Sequence, residues 1–382
     1  MQINNITYHD HYLEWRYENI YFSNLNLLVG VSGVGKTQIL NSIMNLKKIA
    51  KGDSLNGLEW DVIFTSDNHL YRWSGEFEKK TDNEFIFETE DSNEIASKRK
   101  YKLNREFLYK NNKTIIERHQ NRITFKGQEL PKLSPFESSI AILGEEDDIL
   151  PVREGFNKVF YSNKLNQNPS SNDIFEFIVN KDLFVNKCSS LVEIQESSLS
   201  IALKLALIYD LNLEIFNEIK NSFMNIFSQV EDIKLEADND NAHKAKFSGF
   251  PIIKIKEKGV SNWITQERIS SGMLRTLIHI SELYLSAEGT VILIDEFENS
   301  LGINCIDILS NLLSEKRQLQ FIITSHHPYI INNISMEHWK IVTRKGGVVT
   351  ARNAQDFNLG QSRHQAFMQL INLDEYREGI TA

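Results

Sequence analysis

Eight residues near the start of the chain restrict its fold more than any other feature. They read Gly30-Val31-Ser32-Gly33-Val34-Gly35-Lys36-Thr37, a complete Gly-x4-Gly-Lys-Thr run. Glycine lets the backbone bend so that successive N–H groups point at one centre, and such a nest binds phosphate. Lys36 has the reach for the β and γ oxygens of a nucleotide, and Thr37 carries a hydroxyl that can ligate Mg2+ at a helix N-terminus. The flanks supply the setting such a loop requires. Leu25–Val29 is a short apolar run, hence a buried strand. After the loop, Ile39, Ile43, Leu46 and Ala50 recur on one helical face until Gly52 stops the pattern. Strand, loop and helix are therefore predicted in that order, with Gly30, Ser32, Gly33, Val34, Gly35, Lys36, Thr37 and Gln38 as nucleotide contacts.

Four more segments carry chemistry. Val291–Ile294 is wholly apolar and delivers Asp295 and Glu296 at the C-terminal end of a buried strand, where open α/β sheets bind ligands. Asp295 is assigned to the Mg2+ shell and Glu296 to the water that attacks the terminal phosphate. On its own such a stretch reads as a core strand followed by an acidic loop; the phosphate loop elsewhere in the chain favours the catalytic reading. Ile269-Ser270-Ser271-Gly272-Met273 precedes a helical pattern. There Ser270, Ser271 and Gly272 can present a hydroxyl and N–H groups to a γ-phosphate, although the same residues make a good helix cap. His326 directly follows Phe321-Ile322-Ile323-Thr324-Ser325, and Glu298-Asn299-Ser300-Leu301 is a polar turn.

Between these motifs the texture changes twice. From residue 60 to 125, short aromatic and β-branched pieces alternate with polar turns, which predicts an antiparallel β lobe inserted after the first helix. Residues 162–173 are rich in Asn and Ser and mark a boundary. Residues 174–230 read as mostly helical without sustained heptads, so no long coiled coil is expected. Strand-like runs at 232–236 and 251–256 follow. A helix starting near Gly272, with Leu274, Leu277, Ile278 and Leu285 inward, a second at 303–313 and the two apolar strands imply a parallel sheet covered on both faces. The expected division is 1–56 and 231–352 for the two parts of one head, 57–161 for the β lobe, 162–230 for a helical subdomain and 353–382 for a tail.

Composition narrows the classes. The chain has 382 residues, 41% hydrophobic, enough for one large domain or two lobes. Its 42 Lys and Arg against 51 Asp and Glu give a net charge of −9, so it does not read as a basic nucleic-acid module, although a local basic patch stays open. Cys188 and Cys305 are too few for a disulfide framework or zinc site. A polar N-terminus and the lack of a long uncharged apolar run point to a cytoplasmic protein that makes no use of a membrane. Other features read as structural. Trp15, Tyr17 and Phe22 suit a core more than an adenine platform, Lys98-Arg99-Lys100 a hairpin tip, and His279 a packed helix.

In this order, the five motifs resemble the ABC-type ATPase head. They match Walker A (Gly30 to Thr37), the signature (Ser270 to Met273), Walker B with its catalytic glutamate (Asp295, Glu296), the D-loop (Asn299 to Leu301) and the switch histidine (His326). The β insertion, the Asp-Glu-Phe-Glu-Asn box and Thr324-Ser325-His326-His327-Pro328 make the chain similar to the RecF/SMC-like and OLD-like branch of AAA-family ATP-binding proteins. It is less similar to transporter subunits. The signature departs from the family pattern at Ser271 and Met273, and Gln120, Gln128 and the turn at Gly144-Glu145 compete for the Q-loop.

The resemblance implies ATP and Mg2+ as ligands, with Glu296 and His326 catalytic. It also implies a head-to-tail homodimer, or higher oligomer, with ATP between Walker A of one head and the signature of the other. The residues after Gly347 lack the Asp-x-Asp cluster of a Toprim nuclease, and no Arg-x4-His pair suggests a HEPN ribonuclease, so no nuclease activity is expected of the chain itself. It resembles the stand-alone ATPase subunits of bacterial anti-phage systems such as PARIS and Septu, which control a separately encoded effector. The alternative is a RecF/SMC-like repair or maintenance ATPase that acts on DNA directly.

Overall fold

The computed structural model describes residues 1–81, 100–120, 122–162, 190–197, 199–237, 251–298, 318–360 and 362–380. The expected helix at 303–313, the D-loop residues Asn299 to Leu301, both cysteines, Lys98, Arg99 and most of the 162–173 boundary lie outside them. The chain divides into two compact units. One comprises Met1–Tyr161, Gly289–Glu296 and Gln318–Ala382; the other comprises Ser162–Glu288 and Phe297–Arg317.

Among the described residues, the first unit is built on one sheet of fourteen strands. Its N-terminal strands are β1 (Gln2–Asp10), β2 (Trp15–Tyr21) and β3 (Leu25–Val29). After helix α1 (Lys36–Ala50) come β4 (Leu58–Ser66), β5 (His69–Phe77), β6 (Leu103–Lys110), β7 (Lys113–His119), β8 (Arg122–Phe125) and β9 (Gln128–Glu129). Short helices α2 (Ser139–Ile142) and α3 (Leu150–Asn157) lead to β10 (Val159–Tyr161). Strands β11 to β13 belong to the second unit, and the first unit closes with β14 (Val291–Ile294), β15 (Gln320–Thr324), β16 (Trp339–Lys345) and β17 (Val348–Asn353).

The sheet runs β10-β14-β15-β3-β16-β17-β2-β1-β4-β5-β6-β7-β8-β9. Its first five strands are parallel. Their central members, β14, β15 and β3, are buried at every residue, as strands covered on both faces require. From β1 through β9 the pairing is antiparallel, and β4 and β5 largely alternate buried with half-exposed residues. Trp60, Val62 and Phe64 of β4, with Tyr71 and Trp73 of β5, join Ile39, Ile43 and Leu46 of α1 and Phe156 of α3 in one apolar cluster. Phe156 meets Trp73 and Phe64 edge-on at centroid separations of 5.2 and 5.3 Å. Of the antiparallel pieces expected after the first helix, the one at 84–88 lies outside the described residues; the others are present, and they continue the large sheet through the pairing of β1 with β4.

The second unit holds α4 (Leu191–Glu196), α5 (Ile201–Asp210) and α6 (Glu214–Ile226), then the antiparallel strands β11 (Val230–Ala237), β12 (Pro251–Glu257) and β13 (Ile264–Thr265). Helix α7 (Ser271–Leu285) follows and is buried continuously from Thr276 to Leu283. The expected 231–352 segment of the head is accordingly divided, since 231–288 group with the helices. His279, read as merely packed, is buried and tied down: its Nδ1 lies 2.9 Å from Glu282 Oε2 and 3.0 Å from Ser162 Oγ, which itself donates to Glu282 at 2.7 Å. Back in the first unit, α8 (Pro328–Asn333), α9 (Arg363–Leu370) and α10 (Asp374–Glu378) complete the described helices. The longest described helices have 15 residues, and among the described residues none is long and apolar enough to cross a membrane.

Candidate nucleotide site

Parallel β3 ends at Val29, and the chain turns through Gly30 to Gly35 into α1. The turn needs glycine for two separable reasons. Gly35 caps α1 in the left-handed region at φ 103°, where a side chain is strained and where a Cβ would lie 3.0 Å from the Trp15 ring and from Val349. Gly30 has no room: a Cβ would meet the Val342 carbonyl oxygen at 2.6 Å. No side chain caps α1 and no acidic residue stands in its first turn, so its leading N–H groups and the positive end of its dipole are available to an anion. Ser32, Gly33, Thr37 and Gln38 are exposed, while Val34 is buried and anchors the loop. Lys36 folds over the loop, its Nζ donating to the carbonyls of Gly30 at 2.6 Å and Val31 at 2.9 Å.

The parallel register brings the second motif to this loop. β15 lies between β14 and β3, and the C-terminal ends of all three point the same way. Thr37 Oγ1 donates to Asp295 Oδ1 at 3.1 Å although the two residues are 258 positions apart in sequence. A hydroxyl and a carboxylate oxygen converging at the mouth of a glycine cradle form a donor set suited to Mg2+ beside a polyphosphate.

Two residues without an assigned role complete the cluster. Thr324, the last residue of β15, donates its hydroxyl to Asp295 Oδ1 at 2.5 Å and accepts the backbone N–H of Glu296 at 2.8 Å. Glu296 is exposed and sits at φ 46°, a left-handed conformation that is unusual for a residue with a side chain. Tyr161, at the end of β10 beside β14, is buried and hydrogen-bonds with Asp295; burial first, then the Asp295 and Glu296 charges, raises its phenol far above the ordinary range. In the sequence Thr324 is an ordinary end to an apolar strand and Tyr161 stands in no motif, so neither carries a local chemical signal.

The other expected site residues divide as follows. His326 is exposed, two residues beyond Thr324. His327 is the cap of α8, its Nδ1 accepting from Tyr329 N at 3.2 Å. Ser270, Ser271 and Gly272 belong to the second unit, where Ser270 caps α7 by accepting from Met273 N at 3.3 Å; Ser270 and Ser271 are exposed. Of the aromatics weighed for the base, Tyr17 and Phe22 are buried in the core, whereas Trp15 is half-buried beside Gly35 with the Arg344 guanidinium 3.8 Å from its ring centre.

Over residues 25–332 the sequence matches the protein family described as "AAA domain, putative AbiEii toxin, Type IV TA system". Solved structures similar to the chain include an Smc head bound to the C-winged helix domain of ScpA, with 14% identity and a TM-score of 0.48 over 92% of this chain and 97% of that one. The SMC head domain from Thermotoga maritima gives 12% identity and a TM-score of 0.43 over 92% and 99%. No curated protein matches the chain in sequence.

Proposed function

The chain belongs to this AbiEii-type AAA-domain family and carries an AAA-type ATPase domain, and on that premise we propose that it hydrolyses Mg-ATP between two head-to-tail copies to control a separately encoded effector in anti-phage defence. The observation that carries the ATP reading is the convergence of Thr37 and Asp295, 3.1 Å apart, at the mouth of an uncapped helix and glycine loop. Bound Mg2+ would be held by these two residues and would neutralise phosphate charge. Lys36 exchanges its loop carbonyls for phosphate oxygens, and the N–H groups of Gly33 to Thr37 hold the anion. Asp295 keeps its orientation through Thr324 and Tyr161. Glu296, aimed by its left-handed backbone and by the N–H bond to Thr324, accepts a proton from the attacking water. His326 contacts the γ-phosphate side, and Ser270, Ser271 and Gly272 of the second copy close over it.

The family's description as part of a toxin–antitoxin system supports a role beside another protein. The effector is read as a nuclease on the resemblance to stand-alone anti-phage ATPase subunits. Pairing is the testable core of the proposal. Glu296→Gln should bind Mg-ATP, hydrolyse it slowly and accumulate head pairs, because the persisting γ-phosphate bridges Lys36 of one copy and Ser270 of the other. Ser270→Arg added to it should remove that gain. Light scattering with and without ATP, backed by a cysteine cross-link across the head contact, reads both. If ATP leaves the cross-link of Glu296→Gln unchanged, the head-to-tail reading fails and turnover belongs within one chain.

A further inference from the structure

Away from the nucleotide loop, β1 and β4 bring together three side chains of a different chemistry. His9 and His11 stand two residues apart on β1 and its immediate continuation, hence on one side of the chain, and Glu59 of β4 is the cross-strand partner of His9. Their imidazole centroids are 3.6 Å apart. His11 Nε2 lies 3.0 Å from Glu59 Oε2, and one ligand atom from each of the three residues falls within 4.8 Å of the others. Glu59 is already oriented: Arg105 donates to its Oε1 at 2.6 Å and to Glu76 Oε2 at 2.8 Å, which leaves Oε2 facing the histidines. Arg16, across β1 from His9, has Glu18 as a partner at 3.4 Å.

We propose that His9, His11 and Glu59 bind a divalent transition-metal ion of the zinc class. A surface ion pair accounts for His11 with Glu59, but it gives no reason for a second imidazole in ring contact with the first. Two imidazole nitrogens and one carboxylate oxygen are the donor set that Zn2+ prefers over Mg2+, with the fourth position left to water. A tetrahedral shell with bonds near 2.0–2.1 Å separates its ligand atoms by about 3.4 Å, so the three side chains need only draw in slightly. With side-chain exposures of 34% for His11 and 35% for Glu59, they have room to do so. Glu59 with its Arg105 hydrogen bond is then the oriented carboxylate that metal sites commonly carry. The ion would fasten β1 to β4 at the base of the turn that leads to Trp15.

Calorimetric titration of Zn2+ into the full chain, stripped of metal and nucleotide, tests the site. The wild type should take up a single tight equivalent, and Asp295→Asn should retain it, which separates this site from the nucleotide site. His9→Ala, His11→Ala and Glu59→Gln should each weaken it by about tenfold or more while melting like the wild type in chelator. Co2+ should give the visible bands of a tetrahedral nitrogen and oxygen shell and no thiolate charge-transfer band. Uptake unchanged in both histidine variants, or a Co2+ spectrum dominated by thiolate, would overturn the assignment.

Discussion

Replacing Thr324 by valine should slow ATP turnover while leaving the fold in place. The residue is 1% exposed, and valine keeps its outline but removes the hydroxyl that bridges the Asp295 carboxylate and the backbone N–H of Glu296. The bond to the carboxylate is charge-assisted, and such bonds are worth about 1.5–3 kcal/mol; loss of the bond from Glu296 N–H to Thr324 adds a smaller amount because water reaches that residue. With the loop at φ 46° losing its tether, about 2–3 kcal/mol of positioning disappears, which corresponds to roughly 30- to 150-fold in turnover. Steady-state phosphate release, at temperatures where circular dichroism shows the variant folded, measures it. Thr324→Ser keeps the oxygen and should recover most of the rate. A valine variant within about threefold of the wild type, or a serine variant as slow as valine, would refute the account.

Lys36→Ala should lower ATP affinity by about a hundredfold or more without changing the circular dichroism spectrum, since in the free protein the ammonium meets two loop carbonyls; nucleotide titration at wild-type affinity would remove the loop from the mechanism. Lys340 is 6% exposed, donates to Asn353 Oδ1 at 2.7 Å and has its pKa lowered by burial from 10.5 to about 8, with Asp356 opposing the shift. Between about 8 and 10.5 the unfolded chain therefore holds a proton that the folded chain has released, so stability gains from rising pH there, and the burial penalty is at full strength below 8. Lys340→Met should flatten that rise by up to about 1.4 kcal/mol per pH unit in urea unfolding compared at matched pH, and an unchanged slope would contradict it.

Legibility in the sequence followed the range of the interactions. β3, α1 and β14 were readable because β14 is wholly apolar, β3 is apolar but for Asn26, α1 repeats its apolar residues on one face, and glycine or carboxylates punctuate all three. β1 and β2 were not. Their alternation is interrupted by shifts of register between Ile3 and Asn5 and between Ile6 and Tyr8, so the polar residues fall out of phase. β16 was missed for the opposite reason, since Trp339 to Thr343 are all buried yet include lysine and threonine, whose partners Asn353 and Thr350 come from β17. The strands from β4 to β8 were legible as short aromatic and β-branched pieces between polar turns, but their membership in the large sheet depends on β1 meeting β4, a pairing that no local pattern announces. At the site, the loop and Asp295 were legible as motifs. Tyr161 and Thr324 act through neighbours delivered by strand order, and strand order is a property of the finished sheet.

That strand order also governs how the protein is made. Asn26 on β3 bonds the carbonyl of Phe321 on β15, 295 residues later, and at about 5–20 residues per second the ribosome needs roughly 15 to 60 s to supply that partner. Until then β3 and the loop it carries have neither flanking strand, since β15 and β16 both come from the final third of the chain. In the antiparallel run from β4 to β9 each strand pairs with the next in sequence, and β4 also pairs with β1, so every partner is supplied early and the run can assemble as it emerges. A nascent chain thus waits with an unpaired apolar strand beside a folded hairpin stack, and a ribosome that stops early leaves an aggregation-prone product that lacks Asp295 and Glu296.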